Sequence, residues 1–258
     1  MPKIESERRG RFMILTINRT DVRNAVDTET ASLLLESVEA FRRDEGLDVL
    51  ILTGAGEVAF CAGADLKDIG GLAARRGAKD TGPMGVSYIT NLDKPTIAAV
   101  NGYCLAGGLE LACWCDFRIA SRNAQFGVLN RRWGVPLVDG GTQRLPKIVG
   151  LGNALYLIET GVLINADHAL RIGLVQEVVP AGQALARALE LAQAICAYPQ
   201  TSLRNDRQSV YQGMSLPLPE GLRLEQQLHQ ASLSDPEMVE ALHRYAVGQR
   251  PLPLRPPC

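Results

Sequence analysis

The chain has 258 residues, and 27 Lys and Arg against 28 Asp and Glu give a net charge of −1 with neutral histidines. Apolar residues make up 46% and charged residues 21%, which excludes collagen-like and intrinsically disordered chains. The charge provides no basic excess for nucleic acid, and no apolar run approaches the roughly 20 residues of a membrane span. We therefore expect a cytoplasmic globular protein whose partners include neither nucleic acid nor a membrane.

The six cysteines do not form metal-site patterns. Most lie in apolar runs such as residues 111–115, and no CxxC pair occurs. A free thiol in such a run acts as a small apolar side chain, and zinc sites require closely spaced ligand pairs. The sequence therefore predicts free thiols and no metal.

Strand and helix signals alternate in the first half of the chain. The predicted elements are a strand at 12–18, a helix at 28–43, a strand at 49–53, a strand at 96–101, a helix at 107–115 and a strand at 117–120. The strands are short apolar runs, and the helices carry apolar residues at helical spacing or follow a glycine turn. This order predicts an α/β fold with a largely parallel sheet.

Two other regions have a different character. Residues 70–91 contain five glycines and a basic cluster, a composition typical of a mobile segment near a binding site or of a solvated loop. Beyond about residue 145 the strand signal fades, and helices are expected at 153–159, 166–172, 182–197, 220–233 and 235–247, followed by a proline-rich tail at 250–257. We divide the chain into a core at 1–198 and a C-terminal helical region at 199–258.

Glycine-rich turns mark the candidate site. They occur at 60–66, 106–110 and 139–142, the second between a strand and an apolar helix. Glycines at a helix start allow bare N–H groups to approach a ligand where the helix dipole favours negative charge. One such N–H paired with another from the 60–66 turn would form a two-donor oxyanion hole. The alternative is that the glycines only permit close strand-to-helix packing.

Glu110 is the candidate acid or base, because it lies in the first turn of the apolar helix beside these glycines. A carboxyl group in apolar surroundings has a raised pKa, which suits proton transfer. The alternative is that Glu110 only stabilises the helix N-terminus.

The order of these turns is similar to that of the crotonase, or enoyl-CoA hydratase/isomerase, superfamily. The resemblance is carried by FCAGADL at 60–66, KPTIAAVNGY at 94–103, AGGLELA at 106–112, CDFRIAS at 115–121, AQFG at 124–127, GGTQRLPKIVG at 140–150 and IGLV at 172–175. It implies a spiral core of repeated ββα units and a C-terminal helical trimerisation region, with trimers or dimers of trimers. It also implies an acyl-CoA thioester as substrate, with coenzyme A only as part of that substrate and no other cofactor.

The resemblance assigns roles to individual residues. The oxyanion donors would be the N–H groups of Ala64 and Gly107. The coenzyme A groove would be lined by Ala62, Gly63, Asp65, Leu66 and Gly108. Arg244 and Arg250 are candidate partners for its phosphates.

The acid residues depart from the family pattern. Typical hydratases use two glutamates, of which the first is Glu110 here, while the second position holds Asn130. Since an amide cannot exchange a proton near neutral pH, Asn130 is expected to hold water or the thioester by a hydrogen bond. Asp139, before a glycine pair, resembles the acid of dienoyl-CoA isomerases and is expected to handle the second proton. Its alternative role is that of a turn-forming aspartate.

The leading hypothesis is therefore an enoyl-CoA hydratase-like lyase that acts through an enolate stabilised by an oxyanion hole. The alternatives are a dienoyl- or enoyl-CoA isomerase, whose reaction adds no water, and a non-catalytic acyl-CoA-binding protein.

Overall fold

A computed structural model describes residues 1–75, 81–233, 235–250 and 254. The strands in these ranges are β1 Ile4–Arg9, β2 Phe12–Ile17, β3 Val49–Gly54, β4 Ala59–Cys61, β5 Thr96–Val100, β6 Tyr103–Leu105, β7 Phe117–Ser121, β8 Gln125–Gly127, β9 Ile164–Asn165 and β10 Glu177–Val179. The helices are α1 Thr28–Arg43, α2 Ile69–Arg75, α3 Gly107–Trp114, α4 Gly141–Val149, α5 Leu151–Thr160, α6 Ala166–Arg171, α7 Ala184–Cys196, α8 Gln200–Gly213, α9 Leu218–Leu233 and α10 Pro236–Ala246.

The strands form two sheets that the chain enters alternately. The larger sheet has the order β1-β2-β3-β5-β7-β10 and is parallel except for the β1–β2 pair. The smaller sheet has the order β4-β6-β8-β9, with only β9 antiparallel to its neighbour. Each turn of the chain adds one strand to each sheet, so β3-β4, β5-β6 and β7-β8 are successive repeats, each followed by a helical segment. This arrangement confirms the predicted spiral of ββα units.

The central strands β3 and β5 of the larger sheet are buried on both faces, which explains why they are continuously apolar. Since successive side chains point to opposite faces, Leu50 and Leu52 of β3 join the main core. Val49 and Ile51 instead pack towards Ala188 and its neighbours in α7. The main core fills the space between the two sheets and α1, and it includes buried side chains of the smaller sheet, such as Phe60 and Phe126.

Sequence patterns predicted the long elements and missed several short ones. The expected helix at 28–43 matches α1, and the strands at 12–18, 49–53 and 96–101 match β2, β3 and β5 within one residue. The charged strand β1 and the three-residue strands of the smaller sheet carry too few apolar residues to give a periodic signal. The sequence predicted only helices beyond residue 145, but the structure has two further short strands there, β9 and β10.

The segment expected to be mobile is largely built into the core. Part of it forms α2, and residues 82–87 are all buried. Met84 and Val86 lie in the main apolar cluster, so the glycines here serve tight turns. Residues 76–80 of the prediction lie outside the described residues, as does most of the predicted tail at 250–257.

Helix α8 begins the C-terminal region and is fastened to the core by ion pairs. Arg207 contacts both carboxylate oxygens of Asp116 at 2.8 Å, and Tyr211 donates to the same carboxylate at 2.6 Å. Arg204 reaches the fully buried Asp48 at 2.8 Å. Helix α9 packs on α8. None of the described helices is long and apolar enough to cross a membrane.

Replacement of Asp116 tests this fastening. Asp116→Asn removes the charge that Arg207 faces, and we expect the free energy of unfolding to fall by about 3 kcal/mol because both side chains are mostly buried. The matched control is Asp167→Asn, since Asp167 forms an exposed pair with Arg122 at 3.4 Å; there we expect a change below about 0.5 kcal/mol. Urea unfolding at fixed protein concentration measures both changes, and equal losses of stability would show that the Asp116–Arg207 pair does not hold α8 to the core.

Candidate active site

The predicted site residues meet at one edge of the smaller sheet. Strands β4, β6 and β8 are parallel neighbours, so their carboxyl ends lie side by side. Ala64 follows β4, Gly107 follows β6 and Asn130 follows β8. The fold therefore gathers residues from three successive repeats that are far apart in sequence.

The N–H groups of Ala64 and Gly107 form a pair of backbone donors. A Cβ placed on Gly63 would lie 3.0 Å from the Gly107 nitrogen, and one placed on Gly107 would lie 3.5 Å from the Ala64 nitrogen. The Val26 N–H donates to Gly63 O, and the Val26 carbonyl accepts from Asp65 N, both at 2.8 Å. Since these bonds use the groups on either side of Ala64, the Ala64 N–H points away from Val26. Among the described residues neither amide hydrogen has an acceptor. Two unengaged donors at a helix N-terminus suit an anionic oxygen.

Strain at Ala106 helps to set this geometry. Its φ of 51° with ψ of −122° is unfavourable for a residue with a side chain and costs on the order of 1–3 kcal/mol. The Ala106 N–H donates to Gly127 O at 2.9 Å, and its carbonyl accepts from Glu110 N at 3.2 Å. These bonds to β8 and to the first turn of α3 hold the peptide that carries the Gly107 N–H.

Glu110 lies on α3 with its carboxyl group buried against the 138–141 turn. Its Oε1 accepts from Asp139 N at 2.9 Å and from Gly141 N at 2.8 Å. Gly141 has to be glycine here, because a Cβ would lie 2.9 Å from that oxygen. Burial raises the pKa of Glu110, the nearby Asp139 carboxylate raises it further, and the backbone N–H donors oppose both, for a pKa of about 7. The carboxyl group can therefore gain or lose a proton near neutral pH.

Asp139 lies next to Glu110, and it is also hydrogen-bonded to a segment that is distant in sequence. Its Oδ1 accepts from Met84 N at 2.9 Å and from the Ser87 hydroxyl. Gly82 leaves room for this contact, since a Cβ there would lie 2.1 Å from Ser87 Oγ. Asp139 therefore joins the 138–141 turn to the buried 82–87 segment.

Arg144 reinforces the same junction from α4. Its guanidinium donates to Ser87 O at 2.6 Å and to Asp139 O at 3.1 Å. Burial lowers the pKa of Arg144, and the positive charge balances the two neighbouring carboxyl groups. Sequence reasoning missed Met84 and Ser87, because they lie more than 50 residues from Asp139 and no local pattern links them. It also missed Arg144, whose contact with Ser87 is equally distant in sequence.

Asn130 is buried, and only the nitrogen of its side-chain amide has a hydrogen-bond partner among the described residues. Its Nδ2 donates to Val135 O at 2.7 Å, which leaves Oδ1 facing inward without a partner among the described residues. The free Oδ1 can accept a hydrogen bond from a water molecule.

The residues predicted to line the coenzyme A groove divide into two groups. Ala62 and Ala64 are half-buried and Leu66 is exposed beside the donors, as a groove requires. Asp65 is held in place by Arg19 at 3.0 Å and caps the short helix that follows. Gly108 packs against the end of β4, where a Cβ would lie 2.1 Å from Cys61 O.

Arg244 and Arg250, the candidate phosphate partners, lie in and just after the exposed α10. Arg250 stacks on Tyr245 at 3.9 Å and donates to its carbonyl oxygen.

A separate cavity of about 990 Å³ opens on the outer side of the 138–141 turn. Its walls come from residues 87–92, the end of α3, α4 and α8, and Ala64, Gly107 and Glu110 do not line it. Within the described ranges no three His, Cys, Asp or Glu side chains converge as a metal site.

The raised pKa of Glu110 predicts a pH-dependent stability. The folded protein binds this proton more tightly than the unfolded chain, so stability declines as pH rises from about 4.5 through about 7. Glu110→Gln retains the acceptor and removes the charge. We expect the variant to be more stable than the wild type by about 3 kcal/mol above pH 7 and equally stable below pH 4.5.

Denaturant unfolding at several pH values from 4 to 8 measures this difference. Glu159→Gln is the matched control, because Glu159 is exposed on α5, and it should change stability little at any pH. A Glu110→Gln variant that is less stable than the wild type at pH 8 would contradict the assignment.

Comparison with known proteins agrees with this geometry. A family model described as enoyl-CoA hydratase/isomerase matches residues 7–251. The chain is 38% identical over 222 residues to a crotonyl-CoA hydratase of Syntrophomonas wolfei, covering 85% of each chain. It is 36% identical to a short-chain-enoyl-CoA hydratase of Clostridium acetobutylicum, covering 92% of this chain and 91% of that one.

Solved structures show the same relationship. The crystal structure of an enoyl-CoA hydratase from Bacillus anthracis superposes with a TM-score of 0.89 at 31% identity, covering 97% of this chain and 98% of that one. Together with the two-sheet spiral and the paired backbone donors, these matches show that the chain belongs to the enoyl-CoA hydratase/isomerase family.

Proposed function

We propose that this protein adds water across the double bond of a 2-enoyl-CoA thioester. The observation that carries the proposal is the buried Glu110, with a pKa of about 7, on the helix whose N-terminus provides one of two unengaged backbone donors. The hydratase names of the relatives that match most of the chain support the same reaction.

The oxyanion of the reaction would be held by Ala64 and Gly107. Their N–H groups would donate to the thioester oxygen, which becomes negative as water attacks the β carbon. Such preorganised donors favour the transition state because they need no rearrangement when charge develops. One donor of this kind contributes roughly 10²–10³ in rate.

The protons would be handled by Glu110 and Asp139 with Asn130 as a water-binding residue. Ionised Glu110 takes one proton from the attacking water, whose oxygen bonds to the β carbon, while Asn130 Oδ1 accepts a hydrogen bond from the water. The α carbon of the enolate then receives a proton from Asp139. In the reacting form the proton held by this pair would lie on Asp139 while Glu110 is ionised, and after the addition a proton would return from Glu110 to Asp139 before the next turnover. Asn130 therefore replaces a glutamate without any proton transfer of its own.

Coenzyme A would lie along residues 62–66, with Leu66 exposed and Gly63 and Asp65 shaping the loop. Gly108 contributes through close packing that brings the start of α3 to this loop. We propose no other cofactor. Five thiols, Cys61, Cys104, Cys113, Cys115 and Cys196, are free, which suits the proposed cytoplasmic location.

Self-association as a trimer, or as a dimer of trimers, is part of the proposal. Helices α9 and α10 carry exposed apolar side chains, among them Leu222, Val239, Leu242 and Tyr245. An apolar surface of this kind is unfavourable in water and is typical of an interface between protein chains. A second copy of the chain would cover it.

The experiment that tests the reaction is turnover of a panel of enoyl- and dienoyl-CoA thioesters in deuterated water, followed by mass spectrometry. We expect a 2-enoyl-CoA to gain one water molecule. Glu110→Gln should lower kcat by about 10²–10⁴, and Asp139→Asn should also lower it, whereas Glu159→Gln should not. Deuterium uptake without added water would instead establish the isomerase alternative, and binding without turnover would establish a non-catalytic acyl-CoA-binding protein.

A further inference from the structure

Met84 lies against the proposed oxyanion donors, and we propose that it limits the length of the acyl chain, so that the enzyme favours short 2-enoyl-CoA thioesters. This inference rests on the proposed function and names the substrate class of the same site. It assigns a specificity role to a segment that the sequence indicated as either a mobile segment near a binding site or a solvated loop.

The thioether of Met84 covers the face of Gly107 that is turned towards Ala64. Its Sδ and Cε atoms each lie 3.1 Å from the position of a Cβ on Gly107, and that position lies 3.5 Å from the Ala64 nitrogen. The side chain is fully buried. A thioester oxygen bound between the two N–H groups would therefore bring its carbonyl carbon, and the acyl carbons that follow, next to Met84.

The backbone behind Met84 is fixed and cannot retreat. Gly85 N bonds to Gly82 O at 3.0 Å and closes a tight turn, and Met84 N is bonded to Asp139 at 2.9 Å. Gly85 has a φ of +94°, and a Cβ there would lie 2.1 Å from Ala31 O, so the turn is wedged against α1. Only the flexible thioether can adjust to a substrate.

This combination of a rigid backbone and a flexible tip sets a limit on size. Rotation of the unbranched Met84 side chain can make room for a few carbon atoms, whereas a longer chain needs the space that the side chain itself occupies. The same turn supplies a hydrogen bond to Asp139, so the limit on chain length and the position of the proposed acid have one structural origin.

Chain-length preference tests the proposal. The wild type and Met84→Ala are compared with 2-enoyl-CoA thioesters of four, six, eight and ten carbons. We expect the wild type to favour four carbons and Met84→Ala to raise the ratio of kcat/KM for eight carbons to that for four by about tenfold or more, the order of discrimination that a pocket achieves per methylene. Met84→Leu should keep the wild-type preference.

Met13→Ala is the matched control, since Met13 belongs to the same apolar cluster but lies on β2. It should lower stability and leave the chain-length ratio unchanged. If Met84→Ala does not fold, Met84→Val provides a smaller change in the same direction. An equal loss of kcat/KM at every chain length, or a wild type that already favours eight or ten carbons, would overturn the proposal.

Failure of the proposed function gives a different result. If the wild type hydrates none of these thioesters, the proposed reaction is wrong. The limit on chain length can then be measured without turnover, from the calorimetric affinities of saturated butyryl- to decanoyl-CoA. Tighter binding of the long chains by Met84→Ala than by the wild type would still support the limit. Unchanged length dependence would reject it.

Discussion

The hydrogen bonds from Asp139 N and Gly141 N to the buried Glu110 carboxyl group are the contacts on which the site depends. They join α3, which carries one oxyanion donor, to the 138–141 turn, which carries the second carboxyl group. Through Asp139 and Arg144 the junction extends to the buried 82–87 segment. Each partner follows a different repeat of the spiral, so the site depends on the packing of all three repeats against one another.

This junction is costly for the folded chain. Burial of Glu110 disfavours its ionised form, and the strained backbone of Ala106 adds a second penalty. The rest of the fold offsets these penalties in free energy. The main apolar cluster packs both sheets against α1, and buried ion pairs hold α8 to the core. A stable scaffold that carries destabilising groups at one edge is typical of enzymes.

The sequence predicted the parts of this arrangement that have local signals. Glycines at the start of α3 indicated the donors, and an acidic residue in an apolar turn indicated Glu110. Contacts between residues far apart in sequence could not be predicted in this way. The glycines of residues 82–85 are typical of a loop, yet they allow tight turns in a buried segment that is hydrogen-bonded to Asp139. The unpartnered Oδ1 of Asn130 likewise depends on Val135 engaging the amide nitrogen, which only the folded chain shows.

The most direct test of the account is an NMR titration of the Glu110 carboxyl carbon in protein labelled with ¹³C at glutamate, with Glu110→Gln used to assign the signal. We expect a midpoint near pH 7, because burial and the neighbouring Asp139 carboxylate raise the pKa of Glu110. A midpoint near 4.5, the ordinary value for glutamate, would mean that water reaches the carboxyl group freely. It would contradict the claim that the turn and α3 together create a proton-transfer group at neutral pH.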